Sequence, residues 1–261
     1  MADLNQSPII YNKNNPLLGL PARRIWSLLR PQDVAGGRMV RKGRDFDGGY
    51  VMLDHGLKNA TAYSLGINDD VSWDMDMVEL GCDVYQYDHT IDALPYDHPR
   101  MHWHKIGIAD RMTEDPTFAT IAALIERNGH ESHDNLIVKM DIEGTEWALL
   151  QTIAEKTLLQ FSQIIIEFHW MNYIDETFHV RRFVNALETL NRTHQLVHLH
   201  ANNCGGLILA GGVILPETFE VTYVRRRDHT FIPCTKVFPT ELDMPCNHAA
   251  ADYFLGAIGF L

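Results

Sequence analysis

The chain has 261 residues, 46% hydrophobic and 21% charged, an ordinary globular composition that can bury one large α/β core or two small ones. A net charge of −12 and a pI near 5.5 exclude a broad electrostatic grip on nucleic acid or anionic lipid. Four widely spaced cysteines (Cys82, Cys204, Cys234, Cys246) without a CxxC pair argue against a zinc ribbon or a disulfide framework and suit a reducing compartment.

The opening MADLNQSPIIYNKNN lacks the basic-then-apolar layout of a signal peptide, and no apolar run is long enough to span a membrane. A soluble, cytoplasmic protein is expected. Residues 1–20 read as an extended arm, and 21–30 (PARRIWSLLR) as a short amphipathic helix with Pro21 in its first turn. Residues 36–54 read as two short strands around a turn at Asp47-Gly48-Gly49. The basic residues Arg38, Arg41, Lys42 and Arg44, like Arg225-Arg226-Arg227, read as solvated strand edges or turns.

From residue 60 strands alternate with helices. Strands are predicted at 61–67, 83–88, 101–109, 136–141, 163–170, 194–203 and 219–226. Helices are predicted at 71–80, 116–129, 146–155 and 176–191, with Asn128-Gly129 as a C-terminal stop. Three consecutive isoleucines in QIIIEFHW mark a strand buried on both faces. The alternation implies a parallel sheet with right-handed crossovers, and the late consecutive strands imply an antiparallel edge.

Open α/β sheets bind ligands beyond the carboxyl ends of their strands, and this chain places acids there repeatedly. The first loop, Ser64 to Asp70, is not GxGxxG; only Gly66 holds a glycine position. Asp69 or Asp70 suits an amino-acid ammonium group and repels a pyrophosphate, which favours S-adenosylmethionine (SAM) over a dinucleotide. Asp88, ending the second strand, can accept from ribose hydroxyls, and Ile108, Ala109 and Asp110 follow the third strand where an adenine would be flanked. Taken singly, each acid also reads as a turn-forming aspartate.

The segments RDFDGGYVM, YSLGINDDVSWD, VYQYDHT, KMDIEGTEW, IIIEFH and HLHANNCGG resemble the FkbM methyltransferase family over roughly residues 38–245, up to a closing FPTELDMP. The KxDxEGxE run, with Lys139, Asp141, Glu143, Gly144 and Glu146, carries the resemblance best; the first loop departs from the commoner glycine-rich form. The resemblance implies SAM-dependent methylation, usually of an oxygen on a sugar or natural product. The fold expected is a single Rossmann-like, seven-stranded class I methyltransferase domain over 59–261, with an N-terminal arm, helix and hairpin over 1–58. The cofactor set expected is Ser64, Gly66, Asn68, Asp69, Asp70, Asp88, Ile108, Ala109 and Asp110.

Methyl transfer to a hydroxyl needs positioning, and a base or a metal to take up the proton's charge. Candidates gather at the ends of strands four to six: Asp141, Glu143, Glu167, His169, His198, His200, Asn202 and Asn203. Glu167 and His169 are two apart on a strand and share a face. Asp141, Glu167 and His169 suit Mg²⁺ or Mn²⁺, whereas a metal-free site would use His169 or His200 as base. Tyr50, behind two glycines, together with Glu143, Asn202 and Asn203, forms the expected acceptor set; Tyr50 alternatively ends an ordinary hairpin. Acids after strand four can also be simple helix caps. A metal-dependent hydrolase and a non-catalytic SAM- or nucleotide-binding module are the competing functions. The expected partner is a small-molecule or glycan acceptor.

Overall fold

The computed structural model describes residues 9–13 and 15–258; part of the expected arm, residues 1–8 and 14, lies outside them. The rest of that arm is structured. Ile10–Lys13 is a strand pairing in parallel with Leu207–Ala210. Asn15 accepts from the Leu17 N–H at 3.0 Å and starts a 3-10 turn that runs into helix α1, Gly19–Leu28. Ala22, Ile25, Trp26 and Leu29 recur at helical spacing and are buried.

The central sheet has seven strands: β1 (Thr61–Leu65), β2 (Asp83–Tyr87), β3 (Met101–His104), β4 (Leu136–Met140), β5 (Phe161–Phe168), β6 (His194–Ala201) and β7 (Phe219–Arg225). Their order is β6-β7-β5-β4-β1-β2-β3, and β7 runs antiparallel to both neighbours. This is the expected seven-stranded Rossmann-like α/β arrangement, with one correction. The antiparallel strand is interior, not an edge. All seven residues of β7 are buried, so it is stabilised by strands on both sides and by packing on both faces.

Helices α2 (Ser72–Glu79), α3 (Ile121–Arg127), α4 (Glu146–Thr152), α5 (Glu155–Leu158) and α6 (Thr177–Thr193) connect the strands. The expected strand 101–109 stops at His104, and Gly107–Ile108 instead pairs with Phe118–Ala119 in a small separate ladder. That pairing delays the next helix to Ile121, where the Thr120 hydroxyl accepts from the Ala123 N–H at 3.3 Å. The expected helix 146–155 breaks at Ile153, whose backbone is extended. A hairpin, Leu207–Ala210 with Val213–Pro216, turns at Gly211-Gly212 and adds to the expected elements. The strands Met39–Lys42 and Tyr50–Leu53 do pair across the Asp47-Gly48-Gly49 turn.

The two basic stretches are neutralised locally. Lys42 faces Asp76, Arg44 faces Asp70 at 3.4 Å, Arg38 pairs with Asp54, and Arg225 bonds Asp134 and Asp228. Among the described residues, no helix is long and apolar enough to cross a membrane.

Candidate active site

A cavity of about 580 Å³ opens over the carboxyl ends of β1, β2, β4 and β5, within the usual size range of small-molecule sites. Three non-glycine residues on its lining, Asn68, Glu143 and Trp170, hold positive φ angles of 50°, 54° and 65°. Such backbone is costly for side-chain-bearing residues and collects where a site over-determines it.

One half of the cavity is built by the loop after β1. Gly66 has φ +80°, and a Cβ there would lie 1.7 Å from the Asp141 carbonyl oxygen, so the β1 and β4 ends approach as only glycine allows. Lys139, buried on β4, donates to the Gly66 carbonyl at 2.7 Å and fixes the loop from below. Asp88 fixes it from the side. Its Oδ2 accepts from the Ile67 and Asn68 N–H groups at 2.8 and 2.9 Å, and its Oδ1 from the Thr90 N–H and hydroxyl at 2.7 and 2.6 Å. Burial raises the Asp88 pKa, but the donors from Asn68, Thr90 and Ile67 outweigh it and hold the carboxylate below its ordinary range.

Gly66, Asn68, Asp88 and Ile108 line the cavity. The other members of the expected cofactor set do not. Ser64 is wholly buried beneath the sheet end. Asp70 accepts from the Ser72 N–H and hydroxyl at 3.0 and 2.9 Å and faces Arg44, so it caps α2 and ties down the hairpin. Asp69 is exposed and outside the lining. The Ala109 N–H is used by Ala119, and Asp110 pairs with Arg111 at the surface. Phe118, brought opposite Gly107 and beside Ile108 by the small ladder, supplies the apolar wall that sequence spacing did not assign.

The other half is acidic. Asp141, Glu143, Glu167, His169 and Asn202 all line it, joined by Asp47, Trp170 and Cys204. His169 Nε2 lies 3.4 Å from Glu167, 3.7 Å from Asp141 and 3.8 Å from Glu143. Its Nδ1 lies 3.3 Å from Glu146 Oε1, a carboxylate with no solvent exposure. The same oxygen accepts from the Ile142 N–H at 2.8 Å, so Glu146 caps the α4 turn and orients the imidazole at once. Burial lowers the His169 pKa, but Glu146 and Glu167 outweigh it and raise the group to about 11. Burial pushes Glu167 upward, the His169 bond opposes this, and Asp141 and Glu220 add to it. Asn202 donates to Glu167 Oε1 at 2.9 Å.

Asp141, Glu167 and His169 each offer one ligand atom within 4.8 Å of the others, as a divalent cation requires. A His whose second nitrogen is held by a buried carboxylate is the usual outer arrangement of a metal-ligating imidazole, and Glu146 provides it. The residues present therefore fit a cation. Clamped between Glu146 and Glu167, the imidazole is held protonated, and service as a ligand or as a base alike requires Nε2 to give up its proton.

Three further expectations are corrected. Tyr50 is buried under the site, outside the lining, and its hydroxyl donates towards Asp141 Oδ2 at 3.4 Å. Asn203 bonds the backbone of Asn247, Ala250 and Ala251 and holds the C-terminal segment instead of an acceptor. His200 is buried away from the cavity, between Glu220 at 3.0 Å and Asp252 at 3.0 Å, and is not placed to act as base. The sequence reading includes Glu146 only as a member of the KxDxEGxE run, with no role at His169, because it resembles an ordinary cap, and it passes over Glu220, an isolated strand acid.

The FkbM methyltransferase domain matches residues 50–195 of this chain. Probable methyltransferase-like protein 24 from Rattus norvegicus is 27% identical over 151 residues, covering 52% of this chain and 41% of that protein. The Homo sapiens protein of the same name is 28% identical over 131 residues, covering 45% and 35%. The matches thus span about two fifths of those relatives' length. A SAM-dependent methyltransferase structure from Agrobacterium tumefaciens overlays with a TM-score of 0.30 at 7% identity, covering 80% of this chain and 60% of that one. With the domain match extending over more than half of the chain, from Tyr50 through the KxDxEGxE run into β6, this protein is a member of the FkbM methyltransferase family.

Proposed function

We propose that the chain is a SAM-dependent O-methyltransferase acting on a hydroxyl of a sugar, glycan or natural-product small molecule, with a divalent cation such as Mg²⁺ or Mn²⁺ at the acceptor side. One observation carries this reading: a single cavity joins a glycine-formed loop with apolar walls to a cluster of carboxylates around one imidazole. SAM supplies an electrophilic methyl group when bound. The Gly66–Asn68 loop, Asp88, Ile108 and Phe118 fit its nucleoside half by shape and polarity. Asp69 and Asp70 lie outside the lining, and Asp47 and Glu143 are lining acids that would take up the ammonium group in their place.

Asp141, Glu167 and His169 would hold the cation, which lowers the pKa of a coordinated hydroxyl. Glu146 keeps His169 Nδ1 protonated and Nε2 turned to the site, and Tyr50 steadies Asp141 from beneath. A rim carboxylate would take up the proton of the acceptor hydroxyl. Family membership sets aside the hydrolase reading, which gives the nucleoside-side loop no task.

Labelled SAM incubated with panels of sugars, glycosides and amines tests the acceptor. Methyl recovered on oxygen is expected; product only on amine nitrogen would overturn the assignment. Asp141→Asn keeps the side-chain size and removes the charge, and turnover should fall at least a hundredfold while SAM binding and the folded state persist. Wild-type turnover in this variant at saturating metal would return Asp141 to a mere neighbour of the α4 cap.

A further inference from the structure

Beside the proposed active site, three adjacent strands put polar side chains in one row. Glu167 on β5 is opposite Glu220 on β7, which is opposite His200 on β6. The C-terminal segment lays Cys246 over this row, and its Sγ lies 3.4 Å from Glu220 Oε1. His200 Nδ1 lies 3.0 Å from Glu220 Oε2, while its Nε2 is held by Asp252 at 3.0 Å. His200, Glu220 and Cys246 are all buried, with ligand atoms within 4.8 Å of one another.

We propose that His200, Glu220 and Cys246 form a second metal site, selective for Zn²⁺, that clasps the C-terminal segment onto β6 and β7. The donor chemistry points to zinc: one nitrogen, one carboxylate and one sulfur form a borderline-soft set that Mg²⁺ does not favour. The spacing agrees. Zinc bonds of about 2.0 Å to N and O and about 2.3 Å to S, at tetrahedral angles, place N and O about 3.4 Å apart and S and O about 3.5 Å apart. The observed 3.0 Å runs to Glu220 Oε2 and the 3.4 Å to Oε1, so one carboxylate lies between the nitrogen and the sulfur. With all three ligand atoms within 4.8 Å of one another, a rotation of that carboxylate brings one oxygen to both. Asp252 accepts the Nε2 proton and so leaves Nδ1 as the ligand nitrogen, the same outer arrangement that Glu146 gives His169.

Binding displaces the thiol proton that Cys246 shares with Glu220 and any proton between His200 Nδ1 and Glu220, so up to two protons leave per zinc bound. The clasp has a structural consequence. The segment it holds also carries Asp243, which bonds His198 at 2.7 Å, and residues 247–251, which Asn203 binds. Zinc would therefore lock the wall behind the acceptor half without contributing to the methyl transfer chemistry.

The test uses the full chain stripped with chelator and titrated with Zn²⁺ against a chromogenic competitor, then with Co²⁺. One tight equivalent of Zn²⁺, unaffected by millimolar Mg²⁺, and a near-ultraviolet thiolate-to-cobalt band are expected. Cys246→Ser should abolish the band, and Asp252→Asn should weaken zinc binding about 10- to 100-fold. Asp141→Asn should leave both unchanged, which separates this site from the cation proposed for the acceptor. No saturable zinc binding by the wild-type chain at micromolar metal, or a thiolate band that survives Cys246→Ser, would overturn the proposal. Because the wild-type titration decides by itself, a variant that fails to fold does not shield it.

Discussion

At Gly66 a single hydrogen atom in place of a methyl group decides whether the cavity exists. A Cβ there would meet the Asp141 carbonyl at 1.7 Å, and the φ of +80° adds about 1–2 kcal/mol of left-handed strain for any other residue. Gly66→Ala should therefore lower SAM affinity more than tenfold and reduce the melting temperature, as calorimetry on the purified variant would read. Unchanged affinity would show that the β1 and β4 ends can part without cost. Asp88 carries a different load, because its four hydrogen bonds all go to the chain's own loop. Where the sequence leads one to expect a direct contact to the ribose, the carboxylate shapes the loop. Asp88→Ala should therefore weaken SAM binding through that loop, by roughly 1.5–3 kcal/mol, the scale of the hydrogen bonds to a charged group that the loop would lose. Binding equal to wild type would remove Asp88 from the cofactor site.

At the scale of elements, the ends of strands carry the chemistry, and the start of β6 carries a buried histidine that makes stability depend on pH. The α4 turn is anchored by Trp147, which stacks on Phe168 at 3.9 Å and donates to the His169 carbonyl at 2.7 Å, so β5 and α4 place the imidazole together. At the opposite end of the sheet His194 opens β6, fully buried, with Nε2 2.9 Å from the Phe161 carbonyl and Nδ1 2.8 Å from the Thr193 hydroxyl. Burial drives its pKa down to about 4, against the Phe161 carbonyl and with help from Arg225. The folded chain then binds fewer protons here than the unfolded chain, whose histidine titrates near 6.5. Stability from this group is complete above about pH 6.5 and is lost as pH falls to about 4, an effect of about 3 kcal/mol. Urea midpoints at pH 7.5 and 4.5 should differ less in His194→Gln than in wild type; equal slopes would assign the acid sensitivity elsewhere.

Across the whole molecule, the N-terminal pieces share the core of the sheet. Leu18, Ala22, Ile25, Trp26 and Leu29 belong to the same buried cluster as Leu65, Val138, Ile166 and Leu196, and the Trp26 indole donates to the Ile214 carbonyl at 2.8 Å. A segment that contributes to a common core unfolds with it. Ile25→Ala should cost about 2–5 kcal/mol by cavity formation and move the entire denaturation curve. An early, separate transition seen by tryptophan fluorescence but not by circular dichroism at the sheet signal would make residues 9–58 an independent unit.

The amino-acid sequence determined the alternation of strands and helices, because hydrophobic period and turn residues act over a few neighbours. It also determined that Asp141, Glu143, Glu167 and His169 share one rim, since parallel strands end on the same side. Tertiary structure alone decided that β7 enters between β5 and β6, because strand pairing partners are set by packing at long range. It also decided which acids face the cavity. Asp70 and Asp88 are equally plausible in sequence, yet Asp70 turns to Ser72 and Arg44 while Asp88 turns to the loop lining the site. Side-chain direction at a strand end depends on the neighbouring backbone donors and on close approaches such as Gly66 to Asp141, and these are contacts between segments far apart in the chain.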